Sequence, residues 1–199
     1  GASFSAVLFS GMIVHGLMAE CVNRAPNLIT GSPNYVKKIV FPLEIIALVV
    51  TLSAFMHFAI GAALLLAFHA LTGGVINFGA LLVPIIILPL IFLSLGLTWI
   101  FSALGVYLRD VGQVMAVATS ALMFLSPVFY PSSAIPEPYR FLIHLNPLTN
   151  PIEQLRAVLL FGGSLDWGAW TESILLALSL TCLGFFFFQK RRKGFADVL

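Results

Sequence analysis

The sequence predicts an all-α polytopic membrane protein, and three observations carry that prediction. Hydrophobic residues make up 60% of the 199 and charged residues only 9%, against roughly 25% charged in soluble domains. The mean hydropathy is +1.04. No Asp, Glu, Lys or Arg occurs from Ile45 to Leu108 or from Val111 to Pro136. Such runs, broken by Gly and Pro, fit helical spans; the strands of a membrane barrel alternate polar and apolar about every second residue. A net charge of +2 is too small to point to nucleic acid. Cys21 and Cys182 stand alone, without pairing or metal-ligand spacing, and read as inert thiols.

Five spans are expected. Gly1 to Ala19 is uncharged and apolar, with neither the basic start nor the small-residue cleavage site of a signal peptide. Glu20 to Lys38 is the first polar segment, with Arg24, Lys37 and Lys38 against one acid. The second span covers about Glu44 to Leu71, and a short uncharged turn leads to the third, about Ala80 to Tyr107. Tyr107 to Asp110 is a tight polar corner before the fourth span, about Val111 to Tyr130. The fifth covers about Glu172 to Phe188, where the Phe185 to Phe188 run reads as an interfacial anchor beside a basic tail, Gln189 to Leu199.

Between the last two spans lies Ser126 to Gly163, which holds six of the eleven prolines: Pro127, Pro131, Pro136, Pro138, Pro147 and Pro151. Proline lacks the N–H and clashes with the preceding turn, so this stretch cannot be one spanning helix. Phe141 to Leu145 and Ile152 to Phe161 are apolar but shorter than the roughly 20 residues that cross a bilayer. They predict short helices lying at the membrane surface or dipping into it as a cap. Glu137 with Arg140 and Glu153 with Arg156, each at i, i+3, read first as surface ion pairs.

Lys and Arg near span ends set orientation. With five spans, Arg24, Lys37 and Lys38, then Arg109, then Lys190 to Lys193 all fall on one side, which is the cytoplasm. Residue 1 then lies outside, so at least one preceding span is expected, in a protein of about six. Pro84 and Pro89 kink the third span, as membrane helices tolerate. Gly112, Ala116 and Ser120 give the fourth a small-residue face suited to close helix packing. Ser53, His57 and Gly61 do the same for the second, where His57 is either a structural hydrogen-bonding group or part of a substrate path.

No constellation looks catalytic. There is no Gly-Lys dipeptide, hence no P-loop, and His15, His57, His69 and His144 lie in separate segments without zinc-site spacing. A polytopic chain without chemistry of its own reads as a conduit. Other readings stay open: a membrane-embedded transferase using Glu137, Glu153, Asp166 or His144, or a scaffold.

Three stretches carry a resemblance: YVKKIVFPLEI (Tyr35 to Ile45), YLRDVGQ (Tyr107 to Gln113) and the cap from Ser126 to Arg156. Together they resemble the membrane subunit of ATP-driven exporters for lipid-linked polysaccharides and polyol phosphates, the O-antigen, capsule and teichoic-acid permeases. The resemblance rests on Lys37, Lys38, Phe41 and Pro42, on Arg109 and Asp110, and on Asn146, Pro147, Glu153 and Arg156. It implies six spans preceded by an amphipathic helix, of which this chain lacks the first span and that helix.

It further implies a homodimer enclosing an export channel, with two cytoplasmic ATP-binding subunits that carry the ATP and magnesium. No cofactor or metal is expected in this chain. On that resemblance Asn23 to Lys38 is the coupling segment, with Asn27, Leu28, Ile29, Pro33, Tyr35, Lys37 and Lys38 in it and Arg109 and Asp110 as a second contact. The cap is the extracytoplasmic gate. Phe124, Phe129, Tyr130, Tyr139 and Phe141 offer it an aromatic surface, which suits sugars or simply a membrane interface. Arg140, Asn146, Glu153, Arg156 and His57 complete the expected gate and path. A permease for a drug, lipid or lipo-oligosaccharide has the same linear pattern.

Overall fold

The computed structural model describes residues 4–32, 41–74, 78–131, 136–137, 141, 143 and 145–198. These form helices and turns, with no strand among the described residues. The helices are α1 Phe4–Arg24, α2 Glu44–Leu71, α3 Val83–Tyr107, α4 Val111–Leu125, α5 Thr149–Leu159, α6 Trp167–Arg191 and the short α7 Phe195–Val198. A 3-10 turn, Ala25–Asn27, follows α1, and another, Phe78–Leu82, leads into α3. Among the described residues, four segments are long and apolar enough to cross a membrane: Phe4–Asn27, Glu44–Leu71, Phe78–Tyr107 and Trp167–Gly194.

The expected fourth span is shorter than its sequence suggested. The α4 helix stops at Leu125 after 15 residues, about 22 Å at 1.5 Å per residue against a hydrocarbon core of about 30 Å. Pro127 stops it, since the residue before a proline is pushed out of the helical region, and Ser126 is extended at φ −94° and ψ 154°. Conversely α1 runs past Ala19 to Arg24, and α6 begins at Trp167, where Asp166 Oδ1 accepts from the Gly168 and Ala169 amides.

The core is built on α3, which packs most extensively against α6. Gly96 and Gly184 let the two backbones meet: a Cβ at Gly96 would lie 2.7 Å from the Leu180 carbonyl and 2.8 Å from Thr181 Cα, and one at Gly184 would fall on the Gly96 carbonyl. Thr181 Oγ1 donates to Phe92 O at 2.7 Å across the same seam. Small residues at such crossings bring membrane helices close enough for dispersion and weak polar contacts to hold them.

The helix ends meet as the charge distribution predicts. Glu44, opening α2, accepts from Arg192 Nη1 at 2.8 Å; Tyr107, closing α3, donates to Arg191 O at 3.1 Å. Phe188 and Phe195 are fully buried here with Ile29 and Trp99. One residue of the expected anchor is therefore core: Phe188 packs edge-on against Phe195, whereas Phe185, edge-on to Trp99, and Phe186 stay exposed. At the opposite end, Trp170 Nε1 donates to Ile85 O at 2.8 Å, joining the starts of α6 and α3.

Candidate functional site

Three places carry the residues singled out in the sequence: the end where α1, α3 and α6 finish, the cap at the opposite end, and an outward flank between α1 and α2.

At the first end, the Ala25–Asn27 turn wedges between the end of α3 and the start of α4. A Cβ on Gly105 would fall on the Pro26 backbone, and one on Gly112 would lie 4.0 Å from Pro26 Cβ. This joins the two regions expected to couple, since Arg109 and Asp110 are exposed on the corner between those helices. Asn27 is exposed and Leu28 half-buried, whereas Ile29 is 1% exposed in the core cluster. Ile29 thus anchors the segment and does not form part of its outer surface. Pro33, Tyr35, Lys37 and Lys38 lie outside the described residues.

The cap is organised by Arg156. The residue is 5% exposed, and among the described residues its hydrogen bonds go to neutral oxygens, not to Glu153. Nε donates to Val7 O and Ser10 Oγ, both at 3.1 Å, Nη1 to Pro127 O at 2.6 Å, and Nη2 to Val7 O at 2.9 Å and Val128 O at 2.8 Å. One guanidinium fork therefore ties α5 to the start of α1 and to the turn after α4. The spacing of Glu153 and Arg156 misled because α5 buries one face: position 156 falls on it and position 153 on its edge. Burying a guanidinium is tolerable only with its donors engaged, and this network engages all three of its nitrogens.

Asn146 adds a second tie. Its Nδ2 donates to Ser126 Oγ at 2.9 Å while its Oδ1 accepts from the Leu148 amide at 3.0 Å, an Asx-type turn that starts α5. Phe124 and Phe129 stack at 5.7 Å between centroids, and Tyr130 donates to Phe124 O at 3.0 Å, so three of the expected aromatics form one group. Phe141 is 63% exposed; Tyr139, Arg140 and His144 lie outside the described residues. Glu153 borders an open cavity of about 400 Å³ with Asn150, Asp166 and Glu172, between α5 and the start of α6.

On the flank, His57 Nδ1 lies 2.8 Å from Glu20 Oε2, and Arg24 Nη1 donates to Glu20 Oε1 at 2.9 Å. The side chains of His57 and Arg24 are 63% and 49% exposed. Glu20 and Arg24 read in the sequence only as the start of a polar segment; their i, i+4 spacing was the available sign that α1 continues through them. The structure joins them to His57, 37 residues away. His15 is buried, with Nε2 2.9 Å from Thr119 O, and Thr119 is the only buried residue of α4. Of the small face of α4, Gly112 meets Pro26, while Ala116 and Ser120 are exposed. No group of three or more His, Cys, Asp or Glu side chains suited to a metal occurs among the described residues.

A bundle of long apolar helices with most of its Lys and Arg toward one end and a proline-rich cap at the other invites comparison with known transporters. The family model described as ABC-2 type transporter matches residues 2–160. The chain belongs to the ABC-2 type transporter family. It is similar to two O-antigen export system permease proteins RfbA of Klebsiella pneumoniae, 25% and 23% identical over 198 residues, and to one of Myxococcus xanthus, 21% identical over 197 residues. Each comparison covers 98–99% of this chain and 76% of the relative. An ABC-2 membrane domain with four apolar candidate spans is a multi-pass protein of the bacterial cytoplasmic membrane, and this family membership implies an ATP-binding subunit as partner. The end that gathers Arg24, Arg109 and Arg191 is the one that the distribution of Lys and Arg predicts to be cytoplasmic.

Proposed function

We propose that this ABC-2 chain is the channel-forming subunit of an exporter that moves a lipid-linked polysaccharide across the cytoplasmic membrane, driven by ATP hydrolysis in a separate subunit. The observation that carries the reading is the outward face formed by α1, α2 and α4. It presents Gly16 and Glu20 from α1, Ser53 and His57 from α2, and Gln113, Ala116 and Ser120 from α4, interspersed with the exposed apolar Met12, Met56 and Val117. His57 lies 13 residues into α2, about 20 Å from its cytoplasmic end. Ionisable groups at that depth are costly against lipid and face protein or water. A second copy of the chain opposite this face encloses a path that is polar enough for a glycan, and it covers the exposed side of α4. The curated relatives are O-antigen permeases by name, which supports the choice of cargo.

In this reading α4 is the fourth of five crossings, and the cap reaches into the membrane to meet its short end. The segment from Asn23 to Lys38 docks on the ATP-binding subunit, which holds ATP and magnesium, and the Ala25–Asn27 turn passes closure to α3 and α4 through Pro26. The cap closes the exit, with Arg156 and Asn146 keeping it seated and the Phe124, Phe129 and Tyr130 group at its edge. Trimming Pro136 to Leu145 leaves the resting pore leaky to small solutes; a tight pore counts against a gate.

Two substitutions test the path and the coupling separately. His57→Leu is expected to lower glycan export at least tenfold while the complex assembles and hydrolyses ATP; unchanged export removes His57 from the path. Gly105→Val pushes Pro26 off α3. The expected result is a complex that still copurifies but hydrolyses ATP with export reduced at least tenfold per ATP; an unchanged ratio means that force does not pass through this contact.

A further inference from the structure

We infer that the cavity between α5 and the start of α6 binds an organic cation that carries several ammonium groups along a flexible chain, a polyamine. The permease reading does not draw on this cavity, so its test is independent of the cargo.

The cavity wall is held by a network that uses up its amide donors. Asn150 Nδ2 on α5 donates to Ala169 O at 2.6 Å and to Ser173 Oγ at 2.5 Å on α6. Gln154 Nε2 donates to Asn150 Oδ1 at 2.8 Å and to Asp166 O at 3.1 Å. What remains is acceptors. Gln154 is 7% exposed and borders the cavity, yet its Oε1 is buried with no partner among the described residues. Turning the amide over would aim its oxygen at two other acceptors, so the orphaned atom is fixed as an oxygen. A buried acceptor left unmet is costly, and a donor entering from the cavity meets it. Glu153, Asp166 and Glu172 border the same space, and none of them joins an ion pair among the described residues. No Lys or Arg borders it. Arg156, the one basic residue of α5, spends its guanidinium on Val7, Ser10, Pro127 and Val128.

The spread of the charges chooses the ligand. The three carboxylates stand around about 400 Å³ and do not converge into a group suited to a metal ion, whose oxygens must be drawn in to roughly 2.0–2.6 Å. Carboxylates spaced along a wall match positive charges spaced along one molecule. An ammonium group has three donors and no acceptor, which suits a wall whose unspent atoms are mostly acceptors, and its charge-assisted hydrogen bonds are roughly twice as strong as neutral ones. A neutral sugar brings as many acceptors as donors and leaves the carboxylates uncompensated. One ammonium answers one carboxylate; a polyamine answers several. Bound here, it bridges Glu153 on α5 to Glu172 on α6 and adds to the tie that Asn150 and Gln154 make between the cap and the last long helix.

The test titrates spermidine into the full-length permease with its ATP-binding subunit in phosphatidylcholine nanodiscs, at constant ionic strength, by isothermal titration calorimetry. Butylamine, with one ammonium, and calcium chloride are the comparison probes. The expected result is one saturable site per permease chain, at least tenfold tighter for spermidine than for butylamine. The double variant Glu153→Gln, Glu172→Gln is expected to weaken spermidine at least tenfold, with each single variant between. Neither side chain is buried, so these variants keep the fold, and their thermal midpoints without ligand check it. Spermidine at a hundredfold excess over its Kd is expected to raise the wild-type midpoint by about 5 °C or more and to leave that of the double variant unmoved. Wild-type affinity in the folded double variant, butylamine binding as tightly as spermidine, or calcium displacing spermidine with equal or higher affinity overturns the inference.

Discussion

Replacing Arg156 by leucine is expected to lower the thermal midpoint of the purified permease by on the order of 10 °C and to abolish export. Five hydrogen bonds leave with the guanidinium. The Val7 carbonyl keeps Ser10 Oγ as a donor at 2.6 Å, but those of Pro127 and Val128 lose the guanidinium. At roughly 1–3 kcal/mol for each buried acceptor left unmet, the cost is about 4 kcal/mol, and a chain of this size loses about 2–4 °C per kcal/mol. Arg156→Lys supplies one ammonium in place of the fork and is expected to fall between. Glu153→Gln, on the edge of the same helix, is expected to shift the midpoint by no more than about 2 °C, within the roughly ±0.5 kcal/mol usual for substitutions away from buried networks. Fluorescence-detected size exclusion after heating separates these outcomes. A midpoint in Arg156→Leu equal to wild type would mean that the network does not hold the cap.

The second large effect is expected at the α3–α6 seam. Gly184→Leu places a side chain where the Gly96 carbonyl already sits, so the two helices must separate along the most extensive contact in the fold. Overpacking of this kind costs about 1–3 kcal/mol even when neighbouring side chains can yield, and a backbone carbonyl yields little. The expected result is loss of most folded, extractable protein, with Gly184→Ala reduced to a lesser degree. Gly16→Ala is the matched control: nothing lies within 4 Å of its Cβ, and alanine is the better helix former by roughly 0.5–1 kcal/mol. Wild-type yield from Gly184→Leu would refute the close crossing.

These two positions also show how much the sequence could tell. Hydropathy revealed the long helices, and the gathering of Lys and Arg predicted which ends meet, because both follow from composition along one chain. The end of α4 was less legible: the apolar run continues to Tyr130, and only Pro127 marks the true stop. Arg156 read as half of a surface pair, since i, i+3 spacing to Glu153 is a local signal, whereas its partners come from residues 7, 10, 127 and 128. Gly96 with Gly184 and Gly105 with Pro26 are contacts between distant segments that no periodicity announces. The Glu20–His57 contact is of the same kind: sequence marked His57 as a polar residue at mid-span, and folding gave it a carboxylate. The coupling and gate assignments came from resemblance, and the structure brings part of each set together: Pro26 with the Arg109 corner, and Phe124 with Phe129 and Tyr130.

The central claim is that the permease carries a glycan outward only while its partner hydrolyses ATP. The most direct measurement is glycan transport into proteoliposomes holding the full-length permease and its ATP-binding subunit, with hydrolysis followed in the same vesicles. Transport that requires ATP, stops when hydrolysis is blocked in the partner, and is at least tenfold lower in His57→Leu vesicles at comparable hydrolysis is the predicted result. Transport that proceeds without hydrolysis, or a stable complex that hydrolyses ATP and moves no glycan, would contradict it.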